Sequence, residues 1–265
     1  MIKGLYTAAS AMIAAMNEQT VLTHNITNLD TAGFKQVMLS KEDWKKTSVS
    51  ELDTLDNSDS KLPSYVSSAL DNTSMYSIGT IGLGVQTTPE SYDFTQGSFE
   101  TTNEPLDMAI EGDGFFRVST PNGDRYTRDG RFHLDSNNNL VTVDGYYVLD
   151  SNGSRITLSS TDITVKTDGT IEIASSAVAK LGIYSFTDPA VDLQRDENMF
   201  IAVGTPIAST DSKVVNNALE ASNVDYTEAT TKMLQIGRTY EAAQKMVTVQ
   251  DTLLGKSIAI LGKFT

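Results

Sequence analysis

Apolar residues are spaced in three ways along this chain, and each spacing predicts a different kind of element. Over residues 1–28, Ile2, Leu5, Ala9, Met12 and Met16 recur at threes and fours; Thr23 and Ile26 continue the series, with Ile13 and Leu22 beside it. That period places them on one stripe of a helix. The stripe is narrow and alanine-rich, which suits close packing against another helix better than the face of a globular core. Asn28, Asp30 and Gly33 should end the helix, with Gly33 in the left-handed conformation. Over residues 224–262 the same period returns in Met233, Ile236, Tyr240, Ala243, Val247, Leu254 and Leu261, with Gln250 and Ser257 at the weaker positions. Asp225 and Glu228 form a capping pair for its start. A helix of about 37 residues would run about 55 Å. A single stripe of that length cannot be buried on a small β domain, so it needs a partner helix.

Between the helices the pattern shortens. Residues 41–78 are rich in Ser, Thr, Asp and Asn, as in Ser48-Val49-Ser50-Glu51 and Asp56-Asn57-Ser58-Asp59-Ser60. They read as an extended or mobile polar segment, either a plain exposed loop or a contact segment. Over residues 79–205, short apolar runs such as Phe115-Phe116-Arg117-Val118 and Leu140-Val141-Thr142-Val143 alternate with turn dipeptides. These dipeptides are Asp113-Gly114, Asn122-Gly123, Asp129-Gly130, Asp144-Gly145, Asn152-Gly153 and Asp168-Gly169, which supply the positive φ that tight hairpins need. The expected fold is mainly β with α-helical termini: a central antiparallel β domain flanked by N- and C-terminal helices that pair as a coiled coil. The expected boundaries are 1–35 for the first helix and its turn, 36–78 for an extended linker or insertion, 79–215 for the β domain and 216–265 for the last helix.

Charge and composition narrow the chemistry. With 20 basic and 34 acidic residues the formal net charge is −14, a surface that repels nucleic acid and anionic lipid. No nucleic-acid partner and no direct membrane insertion are expected. There is no Cys, and the two histidines, His24 and His133, have no nucleophile at recognisable spacing. Asp135-Ser136-Asn137-Asn138-Asn139 resembles the start of a calcium loop, but Leu140 stands where glycine is required and Tyr146 where Glu belongs, so a hairpin turn is preferred. Gly79-Thr80-Ile81-Gly82-Leu83-Gly84 lacks the strand–helix–strand context of a nucleotide site. Met12, Met16, Met233 and Met246 suit adaptable packing rather than ligation. No catalytic residue, metal or cofactor is expected. The first residues lack the pattern of a cleaved Sec signal, so departure from the cytosol would proceed without one.

Three segments carry a family resemblance. His24-Asn25-Ile26-Thr27-Asn28-Leu29-Asp30-Thr31-Ala32-Gly33-Phe34-Lys35 resembles the N-terminal signature of the rod and hook axial proteins of the bacterial flagellum, departing from it at Thr23 and His24. Gln96-Gly97-Ser98-Phe99, Pro105 through Phe116, and Tyr126-Thr127-Arg128-Asp129-Gly130 resemble the opening of that family's β domain. Leu219-Glu220-Ala221-Ser222-Asn223-Val224, Arg238-Thr239-Tyr240-Glu241 and Leu254-Gly255-Lys256 are similar to its C-terminal signature, with Ala221 where glycine is common.

The resemblance implies a structural axial subunit of the flagellar basal-body rod and not an enzyme. Its expected partners are copies of itself in a helical homo-oligomer, other rod and hook proteins, and the flagellar type III export apparatus. The expected location is the basal body, within the cell envelope. The distal rod is preferred, because of the Gly-rich segment Ile78–Val85 and the long insertion before it. A proximal rod protein and a short hook-like protein are the alternatives, and a secreted β-rich hydrolase or binding module is a different class. The expected assembly interface comprises Leu5, Ala9, Met12, Met16, Asn25, Asn28, Gly33, Phe34, Met233, Ile236, Arg238, Tyr240, Glu241, Val247, Leu254 and Leu261. Phe34 would seat in a groove of its own or a neighbouring chain, the neighbour being preferred. Arg238 and Glu241, three apart, would form either a solvated pair or a bridge between subunits.

Overall fold

A computed structural model describes residues 2–44, 46–50, 77–82, 84–161, 163–209 and 212–261. The greater part of the polar segment, 51–76, lies outside the described residues. The fold is mainly β with a helix at each end. The N-terminal helix spans Ile2–Thr27 and the C-terminal helix Tyr226–Leu261. Asp225 caps the latter: its Oδ1 accepts from the backbone N–H of Thr227 at 2.7 Å and of Glu228 at 3.0 Å. Gly33 adopts φ +68°, the left-handed stop that the sequence predicts.

The chain divides into two compact units, and both helices contribute to each. One unit comprises residues 1–20, 39–89 and 232–265. In it, Lys41–Asp43 pairs antiparallel with Val85–Thr87, and Lys46–Ser50 with Ser77–Gly82. The two ends of the polar segment are therefore joined as strands, in the same unit as the helices. This departs from the expected boundary, which placed residues 79–89 in the β domain. The N-terminal helix holds these strands through polar contacts. Ser10 Oγ accepts from Val85 N–H at 3.1 Å, Asn17 Nδ2 donates to Thr87 Oγ1 at 3.1 Å, and Glu18 pairs with Lys41 at 2.8 Å. A Cβ at Gly84 would lie 2.7 Å from Ser10 Oγ, so glycine permits this close approach. On the C-terminal helix, Gln250 lies so close to Gly4 that a Cβ there would stand 3.1 Å from Nε2.

The other unit comprises residues 21–38 and 90–231. Its main sheet is antiparallel and runs, in order, Phe132–Leu134, Leu140–Thr142, Tyr147–Val148, Phe115–Thr120, Gly123–Thr127, Met199–Ala202 and Leu193–Asp196; Ile183–Ser185 joins Phe115–Thr120 to Ile207–Ala208. Alternation along Phe115–Thr120 sends Phe116 and Val118 to one core with Ile110, Leu140, Leu158 and Ile171, and Phe115 to an aromatic cluster with Tyr126, Phe186 and Phe200. Turn chemistry follows the sequence at Gly123, Gly145, Gly153 and Gly169, all with positive φ. Asp135 Oδ1 accepts from Asn137 and Asn139 N–H at 2.8 Å each, closing the hairpin between Phe132–Leu134 and Leu140–Thr142. At Asp113-Gly114 and Asp129-Gly130 the expectation fails, because positive φ falls on Gly112 and on neither of these glycines. Gly130 is needed for packing instead: a Cβ there would stand 1.5 Å from Met108 O.

Candidate functional site

Parts of the three segments that carry the family resemblance, around Asn25–Lys35, Gln96–Phe99 with Arg128, and Leu219–Val224, converge at one buried junction in the β unit. Strand Phe99–Thr101 pairs with Ala218–Glu220, and Val37–Met38 pairs with Ser91–Tyr92. These two short ladders tie the segment after the N-terminal helix and the approach to the C-terminal helix to strands within residues 91–101. Gly33 N–H donates to Glu220 O at 2.7 Å, and Ala221 N–H to Ser98 O at 2.8 Å. Two glycines allow the approach. A Cβ at Gly97 would stand 2.0 Å from Ala221 O, and one at Gly33 2.3 Å from the Arg128 carbonyl carbon.

At the centre lies an ion triad. Glu220 Oε1 meets Lys35 Nζ at 2.6 Å, and Oε2 meets Arg128 Nη1 at 3.1 Å; the three side chains are 0%, 1% and 3% exposed. Gly97 N–H is the third donor to the carboxylate, 3.0 Å from Oε1. Surplus positive charge is met by carbonyls: Lys35 Nζ donates to Thr95 O at 2.8 Å, and Arg128 Nη2 to Gly112 O at 2.8 Å. The Arg128 guanidinium also covers the Phe115 ring at 4.8 Å. Burial pushes both Lys35 and Arg128 below their ordinary pKa, and Glu220 opposes that shift in each.

Two asparagines complete the junction. Asn25, fully buried, accepts from Val37 N–H at 2.9 Å and donates to Val37 O at 2.8 Å, as a strand neighbour would. Asn223 accepts from Gln36 N–H at 2.7 Å and donates to Asp93 O at 2.9 Å. The Asn25 amide pairs backbone that would otherwise be buried unsatisfied, and Asn223 does the same for half-buried backbone. Phe34 is 2% exposed, with the His24 ring 5.5 Å away and the Arg195 guanidinium 4.8 Å over its face. Partial burial and the neighbouring Arg195 charge push the His24 imidazole below its usual range.

Several residues expected at an interface lie at the junction. Asn25, Gly33 and Phe34 are buried within the single chain, where Phe34 seats in its own unit. The reason is that the turn after the helix folds back onto the β unit, where Arg195 and His24 cover the ring. Asn28 is half-buried. On the helices, Leu5, Ala9, Met12, Met233, Ile236, Tyr240, Val247 and Leu254 are half-buried; Met16, Arg238 and Glu241 are exposed. Leu261 closes its helix, and its side chain lies outside the described residues. A second apolar set on the C-terminal helix is exposed: Leu234, Met246, Val249, Leu253 and Ile258. Sequence pattern gives Lys35, Arg128 and Glu220 no charge-pairing role, although each lies inside a segment that carries the resemblance.

Gly33→Ala tests how tightly the junction closes. The added methyl meets both a left-handed backbone and the Arg128 main chain, so a loss of about 3 kcal/mol is expected. Gly145→Ala is the control: φ is +83° but nothing lies within 4 Å, so about 1 kcal/mol is expected. Urea denaturation of the two variants measures the difference.

Similarity to known proteins follows the same segments. Residues 5–35 match the family described as "Flagella basal body rod protein", 109–173 the "Flagellar hook protein FlgE/F/G D1 domain", and 215–260 the "Flagellar basal body rod FlgEFG protein C-terminal". The flagellar basal-body rod protein FlgG of Borreliella burgdorferi is 30% identical, over 96% of this chain and 97% of its own. The chain belongs to the flagellar basal-body rod protein family. FlgF of Caulobacter vibrioides is 31% identical over 99% of both chains, and the flagellar hook-basal body complex protein FlhO of Bacillus subtilis 30% over 99% of this chain and all of its own. Members of this rod family are structural proteins, and the chain is not an enzyme. Among the described residues, no helix is long and apolar enough to cross a membrane.

Proposed function

We propose that this rod-family protein is an axial subunit of the distal flagellar rod, polymerising through its terminal helices into a torque-transmitting tube. The observation that carries the reading is the C-terminal helix. Met233, Ile236, Tyr240, Val247 and Leu254 are half-buried along one side, while Met246, Val249 and Leu253, at three and four, present a second apolar strip to solvent. A helix with apolar residues on both sides needs more cover than one chain provides. Copies of the same helix, packed as a coiled coil in an inner layer, supply that cover. Tyr6, Ile13 and Met16 of the N-terminal helix are likewise exposed and belong to the same layer. Partners along the tube are other rod and hook proteins, and delivery is by the flagellar type III export apparatus. The distal position rests on the Gly-rich strand Ser77–Gly82 and its pairing with Lys46–Ser50 at the base of the insertion.

Gold labelling of the tagged protein along isolated basal bodies tests the position. Label adjoining the hook is the expected result. Label at the membrane-proximal end would assign the chain to the proximal rod, and label confined to the hook would reject the rod reading.

A further inference from the structure

We infer that the buried triad is a gate on folding order: the β unit stays unfolded until Glu220 has joined the chain that precedes it. Lys35 and Arg128 bring two cations into one pocket, and among the described residues the carboxylate that meets both is Glu220. The apolar core does not share this dependence. Its buried residues run from Leu106 to Met199 and close with Val214. A chain that emerges N-terminus first therefore holds every residue of the main apolar cluster while the polar pocket still lacks its anion.

Collapse at that stage would bury two like charges with carbonyl oxygens for partners, at a cost of about 3–5 kcal/mol that the full-length chain can bear but the shorter chain, still without the strand Ala218–Glu220, cannot offset. The same residue also closes the backbone. Without it, the N–H groups of Gly33 and Gly97 lose their acceptors, Glu220 O and Oε1. Three residues later Asn223 supplies the acceptor for Gln36 N–H. The segment that leads out of the N-terminal helix thus waits for partners from the last fifth of the sequence. The gate is distinct from ordinary late completion of a sheet because it acts through stranded charge. Removing the charges should remove the delay.

The test uses the whole protein stalled on the ribosome at a series of lengths in small steps, each given a brief protease pulse. Protection is expected to appear once Glu220 has cleared the exit tunnel, and to be absent when Val214 is clear but Glu220 is not. In the uncharged variant Lys35→Met/Arg128→Met/Glu220→Leu, the onset is expected to shift back to the length that exposes Val214. A second variant, Lys35→Gln/Arg128→Gln/Glu220→Gln, stands in if the first fails to fold at full length. Wild-type protection before Glu220 emerges would overturn the gate. So would an unchanged onset in the uncharged chains, which assigns the delay to strand pairing. Failure of both full-length variants to fold would also overturn it, since the charges would then be needed for structure rather than for timing.

Discussion

Replacing Glu220 with leucine is expected to lower the unfolding free energy by about 3–5 kcal/mol, because it leaves Lys35 and Arg128 buried without an anion. The carboxylate contacts both cations and accepts from Gly97 N–H, so the change strands three donors at once. Against a typical domain stability of about 5–15 kcal/mol, this is a large share. Lys35→Met should cost less. It leaves Glu220 paired with Arg128 and Gly97 N–H, and the remaining pair is neutral. The ranking follows from charge balance: the triad carries a net charge of one, which Thr95 O and Gly112 O help to offset. Urea denaturation at neutral pH gives both values. A Glu220→Leu loss of under about 1 kcal/mol would mean that water reaches the pocket and screens the cations, contrary to its burial.

Aspartate at Met246 or Leu253 is expected to abolish polymerisation and leave the monomer as stable as the parent. Met246 is 54% and Leu253 46% exposed, so a charge there remains in water in the free subunit, and surface changes of this kind fall within about 0.5 kcal/mol. In an assembled layer the same charge would enter an apolar contact, which costs several kcal/mol per ion after relaxation. Repeated in every subunit, that penalty exceeds what a marginal helix contact supplies. Met233→Asp provides the contrast. Met233 is half-buried in the single chain, so its variant should lose monomer stability as well as assembly. Electron microscopy of the assembled material, with thermal unfolding of the monomer, separates the two effects. Normal tubes from Leu253→Asp would mean that the second strip faces solvent in the assembled state too.

The periodicity of the chain determined a good deal by itself. Helices at both ends, the Asp225 cap, the left-handed Gly33 and four of the six glycine turns follow from local rules that act within a few residues. The family was legible for a related reason: its signature segments are short and contiguous. What they do was not legible. Lys35, Arg128 and Glu220 meet across separations of 92 and 185 residues, and no local period encodes such a meeting. Phe34 and Asn25 suffered the same limit. An apolar residue beside a glycine stop looks like an anchor for a neighbour until the fold brings Arg195 over its ring. On the C-terminal helix, a hydrophobic period states which residues share a face and not what covers it. The tertiary structure decided that, half-burying Met233, Ile236, Tyr240, Val247 and Leu254 and leaving Met246, Val249 and Leu253 open, because burial depends on surfaces that distant parts of the chain bring together.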